Sequence, residues 1–277
     1  MSTDKLTALA VAIVTLAATR QIIRHRRAIA LRGRPVLIIG GSRGLGLVIA
    51  RELADQGAHL ALVARDSDEL DRARLDLESR GARVLRISAD VRNQTQVEDA
   101  VSAVMDGYGV LDVLISSASK FAPAGLSAGV KSELAREGFR VTSVFPGLMR
   151  TGSTYNASFK GQHRREFAWF HTADALPGLS VAAESAARRI VSACRYGDAE
   201  VIITLPAQVA VLMNALLPGT MSHLLALTNL LLPASSPADE SDAYRGWQSI
   251  SEAAPSVLTR LADRATRDNN EMPIPGI

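Results

Sequence analysis

Apolar residues fall into short dense runs, separated by longer stretches in which they recur every three or four positions. These are the two periodicities of buried strands and of helices packed on one face. Arg34 to Ile39 reads as a buried strand that ends in Gly40-Gly41-Ser42-Arg43-Gly44-Leu45-Gly46 and runs into a helical pattern from Leu47 to Gln56, closed by Gly57. His59 to Ala64 predicts a second strand, Ser67 to Arg80 a charged exposed helix, and Val84 to Ser88 a third strand. Thr95 to Met105 follows as an amphipathic helix and Asp112 to Ile115 as a fourth strand. The pattern then predicts a helix from Ser117 to Glu137, stopped by Gly138, and a strand from Phe139 to Phe145 that ends at Pro146-Gly147. Strands that alternate with helices can pair in parallel through crossovers, so the fold class is α/β, a Rossmann-like doubly wound parallel sheet.

The rest of the chain is less regular. Thr151 to Gly178 is polar and aromatic, and suits either a flap over a pocket or a surface segment anchored by Tyr155, Phe159, Phe167, Trp169 and Phe170. Val181 to Tyr196 predicts a helix and Glu200 to Thr204 a last strand. After Pro206, Val209 to Leu217 and Leu224 to Leu232 are strongly apolar but too short to span a bilayer. Packing against the core or a second subunit is the first expectation for them, ahead of contact with a membrane interface. Beyond Ser235 the tail is rich in Pro, Ser and Asp and is expected to be loose. The resulting organisation is an N-terminal segment over 1–33, a dinucleotide-binding domain over 34–205, and a C-terminal extension with its tail over 206–277.

Leu6 to Thr19 is an apolar run followed at once by Arg20, Arg24, Arg26 and Arg27, and it falls short of the roughly 20 residues of a membrane span. Positive charge after the run would keep the downstream domain on the cytoplasmic side, anchored to the inner face of a membrane. The alternative is a helix packed on its own domain or on a partner. Across 277 residues, 47% hydrophobic and 21% charged, composition is that of a globular protein. The net charge of +3 is concentrated around Arg20 to Arg34 rather than along a face, which argues against nucleic-acid binding. The single cysteine, Cys194, has no partner for a disulfide or a thiolate metal site, reads as a small buried apolar residue, and fits a reducing compartment.

The glycine turn carries the first chemistry. A helix that begins directly after a strand aims unpaired backbone N–H groups and its positive dipole end at the turn, a field that suits a pyrophosphate. Glycines let the phosphates approach the backbone. At the end of the second strand a carboxylate would favour NAD, whereas here Val63-Ala64-Arg65 places a guanidinium there. Arg65 and Arg43 can both fork onto a 2′-phosphate, so NADP is the expected cofactor; Asp66 keeps NAD as the lesser choice.

These residues resemble the short-chain dehydrogenase/reductase family. Gly40-x-x-x-Gly44-x-Gly46 is similar to its glycine motif, with Ile39 where a threonine is usual, so the turn expected to hold cofactor comprises Gly40, Ser42, Arg43, Gly44, Leu45 and Gly46. Asp90-Val91 resembles the pair at the adenine ring, and Pro146-Gly147 with Thr151 resembles the segment at the nicotinamide. Ser117-Ala118-Ser119-Lys120-Phe121-Ala122 is similar to the stretch around the catalytic lysine, which makes Lys120 the catalytic and ribose-contacting candidate. The resemblance implies an NAD(P)H-dependent oxidoreductase acting on a carbonyl or alcohol of an apolar substrate, commonly in a homo-oligomer.

The departure from the family is as informative. Its members carry a helix and a strand between the fourth strand and the tyrosine-lysine helix, and that strand bears a catalytic serine. Here Ile115 runs directly into Ser116-Ser117-Ala118-Ser119-Lys120. The sheet is therefore expected to be one strand short, with Ser116 at the tyrosine's position and nothing at the serine's. Carbonyl reduction needs a proton donor, and a serine hydroxyl is far less acidic than a phenol. The alternative to an enzyme is a non-catalytic, NADP-binding or membrane-attached scaffold.

Overall fold

A computed structural model describes residues 3–117, 142–217, 219, 226–227 and 242–272. Its first element is a long helix, α1 (Thr3–Arg26), followed by β1 (Pro35–Ile39), α2 (Gly44–Asp55), β2 (His59–Ala64), α3 (Ser67–Ser79), β3 (Val84–Ser88), α4 (Gln94–Tyr108) and β4 (Val113–Ser116). The four strands pair in parallel in the order β3-β2-β1-β4, so β1 is an inner strand and the order of strand addition switches from one side of it to the other after β3. This is the Rossmann-like α/β arrangement that the alternation predicts. Most strand bounds agree within a residue. Two helices differ more: α2 begins at Gly44 rather than Leu47, and α4 runs on to Tyr108, whose hydroxyl donates to Leu60 O at 2.8 Å.

Beyond residue 142 the chain forms β5 (Ser143–Phe145), β6 (Met149–Arg150), β7 (Ser158–Phe159), α5 (His163–Ala175), β8 (Val181–Ala182), α6 (Ala183–Tyr196), β9 (Glu200–Ile202), α7 (Leu205–Leu216), β10 (Tyr244–Arg245) and α8 (Arg260–Asp268). β5 pairs in parallel with β9, and β6 with β8. Among the described residues no strand pairs with the outer edge of β4. The predicted helix from Ser117 to Glu137 and the start of the strand at Phe139 lie outside the described residues, apart from Ser117, which is not helical.

One apolar core joins these parts. Leu47, Ile49 and Leu53 of α2 and Ala186, Ala187 and Ile190 of α6 lie in a single buried cluster with Val36 and Ile38 of β1. Val144 and Val201, from β5 and β9, pack against the same cluster. The small alanines of α6 let it lie close against α2, and together the pair roofs both sheets. On the opposite face Leu37, Ala61 and Val63 pack against Ala100 and Val104 of α4.

Thr151 to Gly178 is an anchored segment, held by three of the five aromatics named for it, while Trp169 and Phe170 are exposed. Tyr155, Phe159 and Phe167 form a second small core with Ala254, and Tyr155 and Phe159 meet the Phe167 ring edge-on. The tail departs from expectation over 242–272. β10 pairs antiparallel with β7, and α8 buries Ala262 and Thr266. The physical reason is close backbone approach: a side chain on Gly152 would collide with the Thr266 backbone, so small residues pack here without any large apolar group.

No described helix is long and apolar enough to cross a membrane. α1 leaves Val11, Val14, Leu16, Ile22 and Ile23 exposed, and its last turn is tied to the domain. The Arg24 guanidinium grips both oxygens of Asp198 at 2.9 to 3.1 Å and lies 4.0 Å over the Tyr196 ring. Cys194 packs against the main core, and burial pushes its thiol up to about 11, which leaves it an unreactive thiol.

Candidate functional site

Parallel pairing sets the carboxyl ends of β1, β2, β3 and β4 along one edge: Ile39 stands opposite Val63 and Ser116, and Ala64 opposite Ser88. The crevice outside those ends is where open α/β sheets bind ligands. Gly40 to Gly46 leave β1, Arg65 leaves β2, Asp90 and Val91 lie just past β3, and Ser116 ends β4, so these candidates are brought together by topology alone.

The glycine turn is tight. Gly40 and Gly44 both have positive φ, at 77° and 54°, a region open to glycine and strained for other residues. A Cβ on Gly46 would run into the Gly40 carbonyl, so the first turn of α2 can pass this close to the strand end only as glycine. Arg43 is the N-cap in extended conformation and gives no side-chain cap, which leaves the first amides of α2 to be satisfied from outside. Leu45 turns inward onto the main core.

Two candidates read as choosing the cofactor take contrasting positions. Arg65 is exposed at the end of β2. The Asp66 carboxylate turns away and accepts from the backbone N–H groups of Asp68 and Glu69 at 2.9 Å, as the N-cap of α3. Asp90 is held by Arg92, whose side chain and backbone N–H both donate to it, and these bonds draw its carboxyl down to about 2. Val91 is exposed beside it.

Ser42 and Arg43 are already engaged. Ser42 Oγ donates to Glu69 Oε2 at 2.9 Å, and Arg43 Nη1 lies 3.4 Å from Glu69 Oε1 and 3.9 Å from Glu271 Oε2. Glu271, Asn269, Asn270 and Asn156 were not expected at the site. The polar run Asp268-Asn269-Asn270-Glu271 is visible in the sequence, but nothing in it points to the glycine turn.

On the far side, Gly147 has positive φ, and a Cβ on it would strike the Thr204 hydroxyl; Pro146 precedes it at the end of β5. Thr151 is buried, and its carbonyl accepts from Asn269 Nδ2 at 3.3 Å. Lys120 lies outside the described residues. Ser116 is exposed at the end of β4.

Two tyrosines could in principle stand in as proton donors, and neither is placed for it. The Tyr155 hydroxyl donates to Asp263 at 3.4 Å, and burial, with that carboxylate, raises its pKa. Tyr108 sits at the amino-terminal edge of the strands, away from the site, where burial likewise raises its pKa. Beside Tyr155, His171 is enclosed between Thr154 Oγ1 at 2.7 Å and Asp263 Oδ1 at 2.8 Å. Burial lowers the His171 pKa against the pull of Asp263, so the neutral ring accepts from Thr154 and donates to Asp263.

Comparison with known proteins bears on the same region. Residues 34–118 match the family model described as short chain dehydrogenase. Gluconate 5-dehydrogenase of Gluconobacter oxydans is 36% identical over 94 residues, 34% of this chain and 37% of that protein. A peroxisomal 2,4-dienoyl-CoA reductase of Arabidopsis thaliana is 33% identical over 110 residues, 40% of this chain and 35% of that protein. The matched part thus spans little more than a third of these two relatives. L-Sorbose reductase from Gluconobacter frateurii, solved with NADPH and L-sorbose, shares the fold with a TM-score of 0.54 at 20% identity, over 64% of this chain and 97% of that one. Over residues 34–118, this chain is similar to the short-chain dehydrogenase/reductase family.

Proposed function

We propose that the chain binds NADP at the crevice outside its parallel strands and, with Ser116 where the family carries its phenol, does not complete carbonyl reduction. The observation that carries the cofactor choice is the division of labour after β2. Asp66 spends its carboxylate on the α3 N-terminus, while Arg65 stays exposed for a 2′-phosphate. When bound, NADPH would bring the hydride; the chain's own residues hold it. The amides of the glycine turn would hold the pyrophosphate, Asp90 and Val91 the adenine, and Pro146, Gly147 and Thr151 the nicotinamide end. Lys120 is assigned to the ribose.

The inactive reading is supported by the placement of Tyr155, whose hydroxyl is spent on Asp263, and of Tyr108, whose hydroxyl is spent on Leu60 at the amino-terminal edge of the strands. The family resemblance of residues 34–118 favours a second reading, an oxidoreductase acting on an apolar carbonyl or alcohol. Melting with and without NADPH tests the cofactor site: at 100 times the dissociation constant the ligand should add about 2.7 kcal/mol, and no shift would remove both readings. NADPH absorbance with aldehydes, ketones and quinones then separates them. Sustained oxidation that Lys120→Ala abolishes would establish the second.

The exposed apolar side chains of α1 and α7 support a peripheral role at a membrane surface or a subunit contact. Fractionation of the chain with and without residues 1–27 tests the first.

A further inference from the structure

We propose that the C-terminal turn Asp268 to Met272 is a built-in competitor for the phosphate position of the glycine turn, so that cofactor enters only as this segment leaves. The inference rests on reading Gly40 to Gly46 as the phosphate cradle.

Five hydrogen bonds and one close approach place the turn there. The Gly44 N–H, the first amide of α2, donates to Asn269 O at 2.8 Å. Asn270 Nδ2 donates to Ser42 O at 2.9 Å, while its oxygen accepts from Arg72 Nε at 2.7 Å. Arg51 fixes the segment from the other side, donating to Asn269 Oδ1 at 3.1 Å and to Asp268 O at 2.7 Å. Glu271 completes the set: it is 5% exposed, and its carboxylate stands so close over Gly44 that a Cβ there would collide with it.

The chemistry is that of substitution. A carboxylate stays buried only where it is paired, and the surroundings of Glu271 are Asn156 Nδ2, the Arg43 guanidinium and the positive end of α2. The last two are what a pyrophosphate would use. Asn156 follows the Thr151 segment, so the tail bridges the two walls between which a dinucleotide would lie. The turn itself is built to return: α8 ends at Asp268 with Asn269 as its C-cap, and Asn270 takes φ of 58°, asparagine being one of few non-glycine residues to accept that conformation, which throws Glu271 back toward Gly44.

A site that opens only part of the time binds with an apparent affinity reduced by the open fraction. NADPH titration of the full chain, of Glu271→Ala and of Glu271→Gln reads this directly. Removing the carboxylate should tighten binding about tenfold, the fraction of closed molecules being the quantity released. Hydrogen exchange of the full chain should show the amides of Asn269 and Glu271, which donate to Ala265 O and Thr266 O, losing protection as NADPH saturates. Equal or weaker affinity in a folded variant, or unchanged protection with NADPH bound, would overturn the competitor while leaving the cofactor site intact. Failure of every form to bind NADPH would overturn both. Should Glu271→Ala not fold, Glu271→Gln keeps the shape and carries the comparison.

Discussion

At the scale of single residues, the site depends on which polar group is already taken. Asp66 is occupied by a helix end and Arg65 is not, and that asymmetry is what should discriminate the cofactors. Arg65→Ala is expected to weaken NADPH about tenfold while leaving NADH nearly unchanged, the worth of one charge-assisted hydrogen bond of roughly 1.5 kcal/mol; paired titrations check it, and equal loss for both cofactors would refute it. His171 gives a prediction in pH. Its pKa is lowered on folding, so the unfolded chain binds the proton more readily; the stability it contributes is full above about 6.5 and is lost as pH falls through the folded value. Melting temperature should therefore fall less steeply below about pH 6.5 in His171→Gln than in the parent chain. A steeper fall in the variant would mean that the protonated ring is stabilised by Asp263 instead.

Elements show where the sequence was readable. β2 falls on His59–Ala64 as expected, because a dense apolar run buried on both faces has no competing helical pattern. The glycine turn was equally legible, since its chemistry follows from position after a strand. α8 was not. It buries alanine and threonine against the bare backbone at Gly152, and such contacts leave no periodic apolar trace. For the same reason Glu271 and its neighbouring asparagines were invisible as site residues: their role comes from a turn, and from partners more than a hundred positions away. α6 packs on α2 and lies in the core shared by β1, β5 and β9. Ile190→Ala should cost about 3 kcal/mol by opening a cavity under the shared roof of the two sheets, measurable by urea denaturation. A loss under about 1 kcal/mol would show that β5 and β9 do not depend on α6.

Over the whole molecule, the N-terminal helix and the C-terminal tail attach in opposite ways. α1 touches the domain through its last turn, chiefly Arg24 on Asp198 and Tyr196, and its other described side chains are exposed. Asp198→Ala should release it, speeding tryptic cleavage at Arg26 and Arg27 severalfold with little change in the melting of the domain. Unchanged cleavage would place the hold elsewhere. The tail, in contrast, is woven into the site from four directions. Asn270 and Ser42 are separated by 228 residues, which makes their contact among the most distant in sequence along the chain. Distant contacts form late, since the intervening loop must first be organised. On the ribosome, β1 to β4 can assemble long before Glu271 has been synthesised. A nascent chain would thus pass through an interval in which the bare amides of Gly44 and its neighbours meet cellular nucleotides unopposed, and the order of translation itself would decide what the newborn protein carries.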